Sequence, residues 1–337
     1  MAKSTDLSNA KNAKKDEFYT QLEDINAEMI NYEEQFQGKT IFMNCDDPTW
    51  SNFWRYFHIE FERLGLKKII ATHYEYDNVP SYKMEYEGGN DENYEEGIKT
   101  DLTQNGDFRC DECVNLLKSS DIVITNPPFS LFREYIAQLV HYEKKFIIIG
   151  NINAVTYKEV FPLIQSNKLW LGASIHSGDR KFHVPNDYPL NAAGCGTEPD
   201  GRRFIRVKGV RWFTNMDYEA RHEALETTYF YAKKDVLYPE LYPHYVNYDA
   251  INIDKTSEIP MDYNGEMGVP ITFLDKYNPE QFEIVGNSME LCRKMSEVAA
   301  KGEYMPGGIR PYIEEKNGQY KYKRLYDRLF IKRKDGK

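Results

Sequence analysis

Residues 121–132 read DIVITNPPFSLF. The apolar run Ile122-Val123-Ile124 has the length and β-branching of a buried strand. It stops at Asn126-Pro127-Pro128-Phe129. Each proline fixes its own φ, lacks an N–H, and drives the residue before it toward extended geometry. Asn126 and Pro127 both precede a proline, so the strand runs out into a stiff loop with an amide at one end and an aromatic ring at the other. Taken alone, this is what any proline-terminated strand looks like. Its meaning depends on the sequence around it.

Working outward, short apolar strands alternate with helices. KTIFMNCDDP (39–48) reads as strand then turn. TWSNFWRYFHIEFERLG (49–65) carries Phe53, Phe57, Phe61 and Leu64 at helical spacing and stops at Gly65. KKIIATHYEY is a second strand, followed by a polar loop over about 77–98. DECVNLLKSS reads as a helix, LFREYIAQLVHYE as the helix after the proline loop, and KKFIIIGN as another strand. VTYKEVFPLIQSN reads as a helix and KLWLGAS as a strand. Before all of these, a polar arm leads into a helix expected over about Glu17–Phe36, ended by Gly38. The pattern indicates an α/β fold with a parallel sheet covered on both faces. Ligands of such sheets bind at the C-terminal ends of the strands, so NCDDP, HYEYD and TNPPF are expected at one rim. After about residue 175 the strand-like pieces KFHVP, RRFIRVKGVRWFTN, TTYFYA, VPITFLDKY and FEIVGN are separated by long Gly/Pro/Asn/Asp loops. Two regions are therefore expected: a core over 1–175, and an irregular region over 176–337 that completes the sheet and builds another surface.

The 337 residues, 41% hydrophobic and 14% aromatic, suffice for a large core. No apolar run is long enough to span a membrane, and the N-terminal stretch is polar, so a cytoplasmic protein is expected. Of the five cysteines, Cys110 and Cys113 form one CxxC with no second pair to complete a zinc site, so reduced thiols and no metal are expected. The net charge is −10, yet its distribution is uneven. Residues 301–337 hold eleven Lys/Arg against five Asp/Glu. Arg202, Arg203, Arg206, Lys208 and Arg211 form a second basic stretch, interleaved with Phe204 and Trp212. Either stretch could be solvated surface; both could also be a footprint for phosphate.

The proline loop is suited to one chemistry. It is rich in acceptors, because its prolines offer no N–H, and Phe129 adds a flat face. The matching ligand is a planar ring bearing an exocyclic amino group, such as adenine. An aromatic amine is a poor nucleophile, since its lone pair is delocalised into the ring. Acceptors held out of the ring plane favour a tetrahedral nitrogen and free that lone pair, a preorganised electrostatic stabilisation. An activated methyl donor held in line would complete the reaction by proximity.

The loop is accompanied by KKDEFYTQ, NCDDP followed by SNFWRYF, GDFRCDEC, GVRWFTN and YNPEQFEIVGN. With DIVITNPPFSLFREYIAQL, this set resembles the N6-adenine DNA methyltransferases of the EcoRI type, in family order over nearly the whole chain. The resemblance implies a Rossmann-like S-adenosyl-L-methionine-dependent sheet with a C-terminal target-recognition region. It also implies Asn126, Pro127, Pro128 and Phe129 as the catalytic loop. Phe18, Tyr19 and Thr20 match the segment that touches the methionine part of the donor, and Asp107 and Phe108 the pair that holds its adenine. The glycine-rich turn common after the first strand is replaced by NCDDP; Asn44, Asp46 and Asp47 are the candidate contacts there, a carboxylate suiting the donor's ammonium. Glu75 or Asp77 is the candidate for the ribose hydroxyls.

An adenine inside a duplex cannot stack on Phe129, so double-stranded DNA as substrate requires base flipping, at a cost of a few kcal/mol, offset by phosphate contacts. The candidates for these are Arg202, Arg203, Arg206, Arg211, Lys321, Lys323 and Arg324. The resemblance implies the target GAATTC, a monomer, and a cognate restriction endonuclease acting on the same site without direct contact. Two other readings stay open on the residues: methyl transfer to RNA adenine or protein glutamine, and a catalytically silent DNA-binding protein on the same scaffold.

Overall fold

A computed structural model describes residues 18–75, 79–89, 97–186, 188–190, 194–232 and 241–334. The chain divides into two compact units. The first runs to Leu163 and resumes over Lys168–Tyr218; the second takes Ile164–Asn167 and Glu219 onward. The division falls at 218/219 rather than at 175/176. The reason is that the last strands of the large sheet are supplied by residues 170–214.

Eight strands of the first unit form that sheet: β1 (Thr40–Met43), β2 (Lys68–Thr72), β3 (Tyr82–Tyr86), β4 (Ile98–Asp101), β5 (Ile122–Thr125), β6 (Lys145–Asn151), β7 (Trp170–Leu171) and, after three strands of a smaller sheet, β11 (Val210–Thr214). Their order is β4-β3-β2-β1-β5-β6-β11-β7. The central four, β2-β1-β5-β6, are mutually parallel, whereas β3, β4, β11 and β7 pair antiparallel. The sheet is thus mixed. Part of the expected 77–98 loop is strand: Tyr82, Met84 and Tyr86 alternate with charged residues, and this period-2 signal pairs β3 with β2.

Helices cover both faces. Trp212 and Phe213 are consecutive on β11 and so point to opposite sides. Trp212 meets Phe53 of α2 (Asn52–Ile59) edge-on at 6.0 Å. Phe213 meets Phe132 of α4 (Phe132–His141) at 5.0 Å. Gly150 on β6 is required by the second contact: a Cβ there would lie 2.5 Å from the Phe132 ring. Each of these buried rings contributes about 1.5–3 kcal/mol of transfer free energy. Helix α1 is shorter than expected, Leu22–Met29. Phe18–Thr20 before it is extended, with Tyr19 bridged antiparallel to His183, and Glu33–Gln35 after it is a 3-10 turn. Between α2 and α4 lies α3 (Asp111–Ser119).

The smaller sheet of the first unit has the order β8-β10-β9, from β8 (Asp179–Val184), β9 (Gly196–Thr197) and β10 (Arg203–Lys208). The second unit holds a sheet of order β12-β13-β17-β14, from β12 (Ile251–Asn252), β13 (Met267–Pro270), β14 (Phe282–Asn287) and β17 (Arg328–Arg333), and a hairpin of β15 (Tyr312–Glu314) and β16 (Tyr322–Arg324). The basic C-terminal stretch is therefore partly interior: Leu329, Phe330 and Ile331 of β17 are fully buried. TTYFYA does not form a strand; within it Tyr229 makes one isolated bridge, to Pro260.

Candidate active site

Because β1, β2 and β5 are adjacent and parallel, their C-terminal ends share one rim. The Asp46 carboxylate crosses from the β1 turn to the proline loop: its Oδ2 accepts from Thr125 Oγ1 at 2.5 Å and from the Asn126 main-chain N–H at 3.3 Å. Asp46 is 4% exposed. Burial pushes its pKa up to about 6, against the lowering effect of the bonds from Thr125, Asn126 and Ser51. The Asn126 side-chain amide donates through Nδ2 to the Phe18 main-chain oxygen at 2.6 Å. Its Oδ1 is buried and has no partner among the described residues. Phe18 is itself fixed: Tyr19 N–H donates to His183 O at 2.9 Å and His183 N–H returns to Tyr19 O at 3.1 Å. Phe129 is half-buried, and its ring meets Phe18 edge-on at 5.8 Å and Phe182 at 6.4 Å. Pro127 is buried and Pro128 half-buried.

The other residues expected at the donor site border this rim. The Asn44 Oδ1 accepts from the Tyr135 hydroxyl, while its Nδ2 is buried without a partner. Thr20 is buried with its hydroxyl likewise unpartnered, its carbonyl accepting from Asn52 Nδ2 at 2.6 Å. Asp47 turns the opposite way from Asp46. Its Oδ1 accepts from the Tyr82 hydroxyl at 2.7 Å and from Thr49, and its Oδ2 lies 3.4 Å from His73 Nδ1. The same imidazole reaches Glu75 through Nε2 at 3.1 Å, so His73 joins the two carboxylates. Asp77 lies outside the described residues.

Gly106 brings GDF against the same rim. Its φ is +76°, and a Cβ there would lie 1.9 Å from His73 O, so only glycine fits. Both oxygens of Asp107 are engaged by Arg109, at 2.9 and 2.7 Å. Burial alone would raise the Asp107 carboxyl, but the Arg109 guanidinium holds it below the usual range. Phe108 is buried edge-on to Tyr135 at 5.1 Å. Thr125 and His73 lie within TNPPF and HYEYD, Tyr135 in the stretch after the proline loop and Phe182 in KFHVP, yet nothing in the sequence assigns any of the four a place at the site; a hydroxyl-bearing Thr125 closing an otherwise apolar strand is the one visible signal.

The basic candidates separate. Arg211 is not available to a phosphate. It lies within β11 and is 4% exposed, with its guanidinium donating to the Val210 and His176 carbonyls; every residue of β11 is buried, so either face of the strand would enclose it. Arg202 and Arg206 are at the surface, paired with Asp200 and Asp179. Arg203 donates to the Asn186 carbonyl. In the second unit, Lys321 and Lys323 are about half exposed beside Glu303 and Glu315 at 3.6 and 3.9 Å, and Arg324 reaches the Pro306 carbonyl at 3.1 Å. Arg328, by contrast, is buried against Asn252. All five cysteines are free thiols. Among the described residues no group of His, Cys, Asp or Glu is arranged to hold a metal, and no helix is long and apolar enough to cross a membrane.

The chain as a whole has counterparts among known sequences. Residues 6–334 match the adenine-specific methyltransferase EcoRI family. This chain belongs to that family. It is 47% identical over 290 residues to the Type II methyltransferase M.EcoRI of Escherichia coli, covering 83% of this chain and 88% of that one. It is 40% identical to the Type II methyltransferase M.MgeORF184P of Mycoplasma genitalium, covering 82% and 84%. It is 39% identical to the Type II methyltransferase M.MpnI of Mycoplasma pneumoniae, covering 82% and 83%. No solved structure matches the chain. The protein is an adenine-specific methyltransferase, and its reaction needs a methyl donor.

Proposed function

We propose that this methyltransferase adds a methyl group to N6 of an adenine flipped out of double-stranded DNA, at a specific site, with S-adenosyl-L-methionine as donor, as the modification half of a restriction–modification system. The relatives named as Type II methyltransferases support the setting. The observation that carries the chemistry is the Asn126 amide, tied through Nδ2 to Phe18 and left with a buried, unpartnered Oδ1 beside the half-buried Phe129 ring.

The residues fit the donor. Thr20 Oγ1 and Asn44 Nδ2 are buried polar atoms with no protein partner, and such groups are costly unless a ligand or water satisfies them. Phe18, Tyr19, Thr20, Asn44 and Asp47 would hold its methionine part, Glu75 its ribose, and Asp107 and Phe108 its adenine. S-adenosylmethionine, when bound, supplies an electrophilic methyl group on a positively charged sulfur. The protein does the rest. Phe129 stacks on the extruded base. Asn126 Oδ1 and the carbonyls of the proline loop accept the amino hydrogens and favour a pyramidal nitrogen with a free lone pair. Because this stabilisation is electrostatic and built in before the reaction, it needs no general base of matched pKa. The parallel strands β2-β1-β5-β6 are read as a Rossmann-like donor-binding sheet, and the second unit as a target-recognition region. Arg202, Arg203, Arg206, Lys321, Lys323 and Arg324 are the proposed phosphate contacts.

Transfer of a radiolabelled methyl group to DNA, RNA and protein, followed by sequencing of modified bases in a host expressing the gene, tests this reading. Label confined to N6 of adenine within one short DNA sequence is expected. Label on RNA or protein alone would overturn it.

A further inference from the structure

Asp46 and Asp47 follow β1 in immediate succession, and both carboxylates suit the ammonium of a methionine-like ligand. Their surroundings differ. Asp47 looks along the rim toward Tyr82, Thr49 and His73. Asp46 turns inward, 4% exposed, and spends one oxygen on the Thr125 hydroxyl at 2.5 Å and the Asn126 N–H at 3.3 Å. Ser51, nearby, also favours the ionised form of Asp46, and it caps α2 by accepting from Phe53 N–H at 3.1 Å. A hydroxyl on a carboxylate at this distance is a charge-assisted bond, about twice as strong as a neutral one.

Those bonds fall where orientation matters. Thr125 is the last residue of β5, and Asn126 N belongs to the peptide that leads into the two prolines. The prolines supply no N–H of their own, so the Asn126 N–H is the last main-chain donor before the stiff segment. Fixing it sets the direction in which the segment leaves the sheet, and with it the Asn126 side chain.

We infer that Asp46 is a positioning residue for methyl transfer: it anchors the catalytic loop through Thr125 and Asn126 and does not hold the donor, which leaves Asp47 as the donor-facing carboxylate. This inference rests on the proposed reading of Asn126 as the group that activates the amine.

The test compares Asp46→Asn, Thr125→Val and their double variant in the full-length enzyme with a duplex bearing the target. Single-turnover transfer rate is measured at saturating donor. Donor affinity is measured separately by calorimetry with S-adenosylmethionine and with its demethylated product, in the absence of DNA. Thr125→Val keeps shape and volume and leaves Asp46 in place, so it remains informative if Asp46→Asn folds poorly. The expected result is a transfer rate lowered about tenfold or more in Asp46→Asn and less in Thr125→Val, the double variant no worse than Asp46→Asn alone, as expected for partners in one interaction. Donor affinity stays within about twofold of wild type, since an interaction absent from the donor site leaves binding unchanged. A donor affinity weakened tenfold or more in Asp46→Asn, with or without loss of rate, overturns the inference, as does a wild-type rate in both single variants. In the latter case an inactive Asn126→Ala leaves the enzymatic reading standing. Wild-type enzyme that methylates no adenine removes the reading itself.

Discussion

The side-chain amide of Asn126 donates to the main-chain carbonyl of Phe18 at 2.6 Å. A carbonyl oxygen can only accept, so this bond fixes which end of the amide faces the N-terminal segment and leaves the oxygen on the other side. Asn126→Asp tests this directly. It would bring a carboxylate oxygen against the Phe18 carbonyl, with no proton between them at neutral pH. We expect transfer to fall about 10²-fold or more, the range for loss of one preorganised polar group, with the far-ultraviolet spectrum unchanged. Turnover near the wild-type rate would show that amide orientation is irrelevant.

Gly106 links the donor-side segment to β2. Gly106→Ala forces a Cβ into His73 O and a side chain into positive φ. Stability should fall by more than about 1 kcal/mol in chemical denaturation. Donor affinity should weaken as well, because Asp107 and Phe108 follow directly. A Gly106→Ala protein as stable as wild type would contradict the close approach.

The two kinds of arginine should separate experimentally. Arg211→Met removes the guanidinium donor from the buried Val210 carbonyl and from the carbonyl of His176, and is expected to cost about 1–3 kcal/mol of stability. The salt dependence of DNA binding should not change.

Lys323→Ala with Arg324→Ala should do the reverse. Their contacts are exposed and worth little to the fold, whereas each phosphate contact contributes about 0.9 to the slope of log affinity against log salt. Titrations over a salt series should show that slope reduced by up to about 2. Equal affinity of the double variant and wild type at low salt would remove this patch from the DNA interface.

Asp46 also predicts a pH dependence of stability. Its folded pKa, about 6, lies above the ordinary aspartate value of 3.8 that it has when unfolded. Its contribution is therefore fully present below pH 3.8 and is lost as pH rises through 6, by about 3 kcal/mol in all. Asp46→Asn abolishes that loss. Unfolding free energies of the two proteins measured from pH 4 to pH 7 should thus shift in favour of the variant as pH rises. Parallel curves would place the Asp46 titration elsewhere.

The parallel core was legible because apolar runs such as Ile122-Val123-Ile124 and Ile147-Ile148-Ile149 end in recognisable turn residues, and because a strand–helix alternation dictates which ends share a rim. β3 was hidden, since Tyr82-Lys83-Met84-Glu85-Tyr86 is partly solvated and flanked by acidic, glycine-containing sequence. The basic tail read as surface although β17 is a core strand: Arg328 and Arg333 stand at its two ends, with Leu329-Phe330-Ile331 between them, and charge counting cannot see which guanidinium turns inward. The same blindness put Arg211 among the surface cations. At the rim, motif spacing put forward Asn126, Phe129, Asp46 and Asp47 as candidates. It could not distinguish the two adjacent aspartates, because their difference lies in contacts across strands, 79 residues away in the case of Thr125 and Asp46.

The central claim is that the free oxygen of the Asn126 amide makes the amino nitrogen of an extruded adenine reactive. Single-turnover methyl transfer by Asn126→Ala, with donor and duplex both saturating, tests it most directly. The account predicts a rate constant lowered about 10²–10³-fold in a protein that still binds donor and DNA. A variant that transfers at the wild-type rate would contradict it.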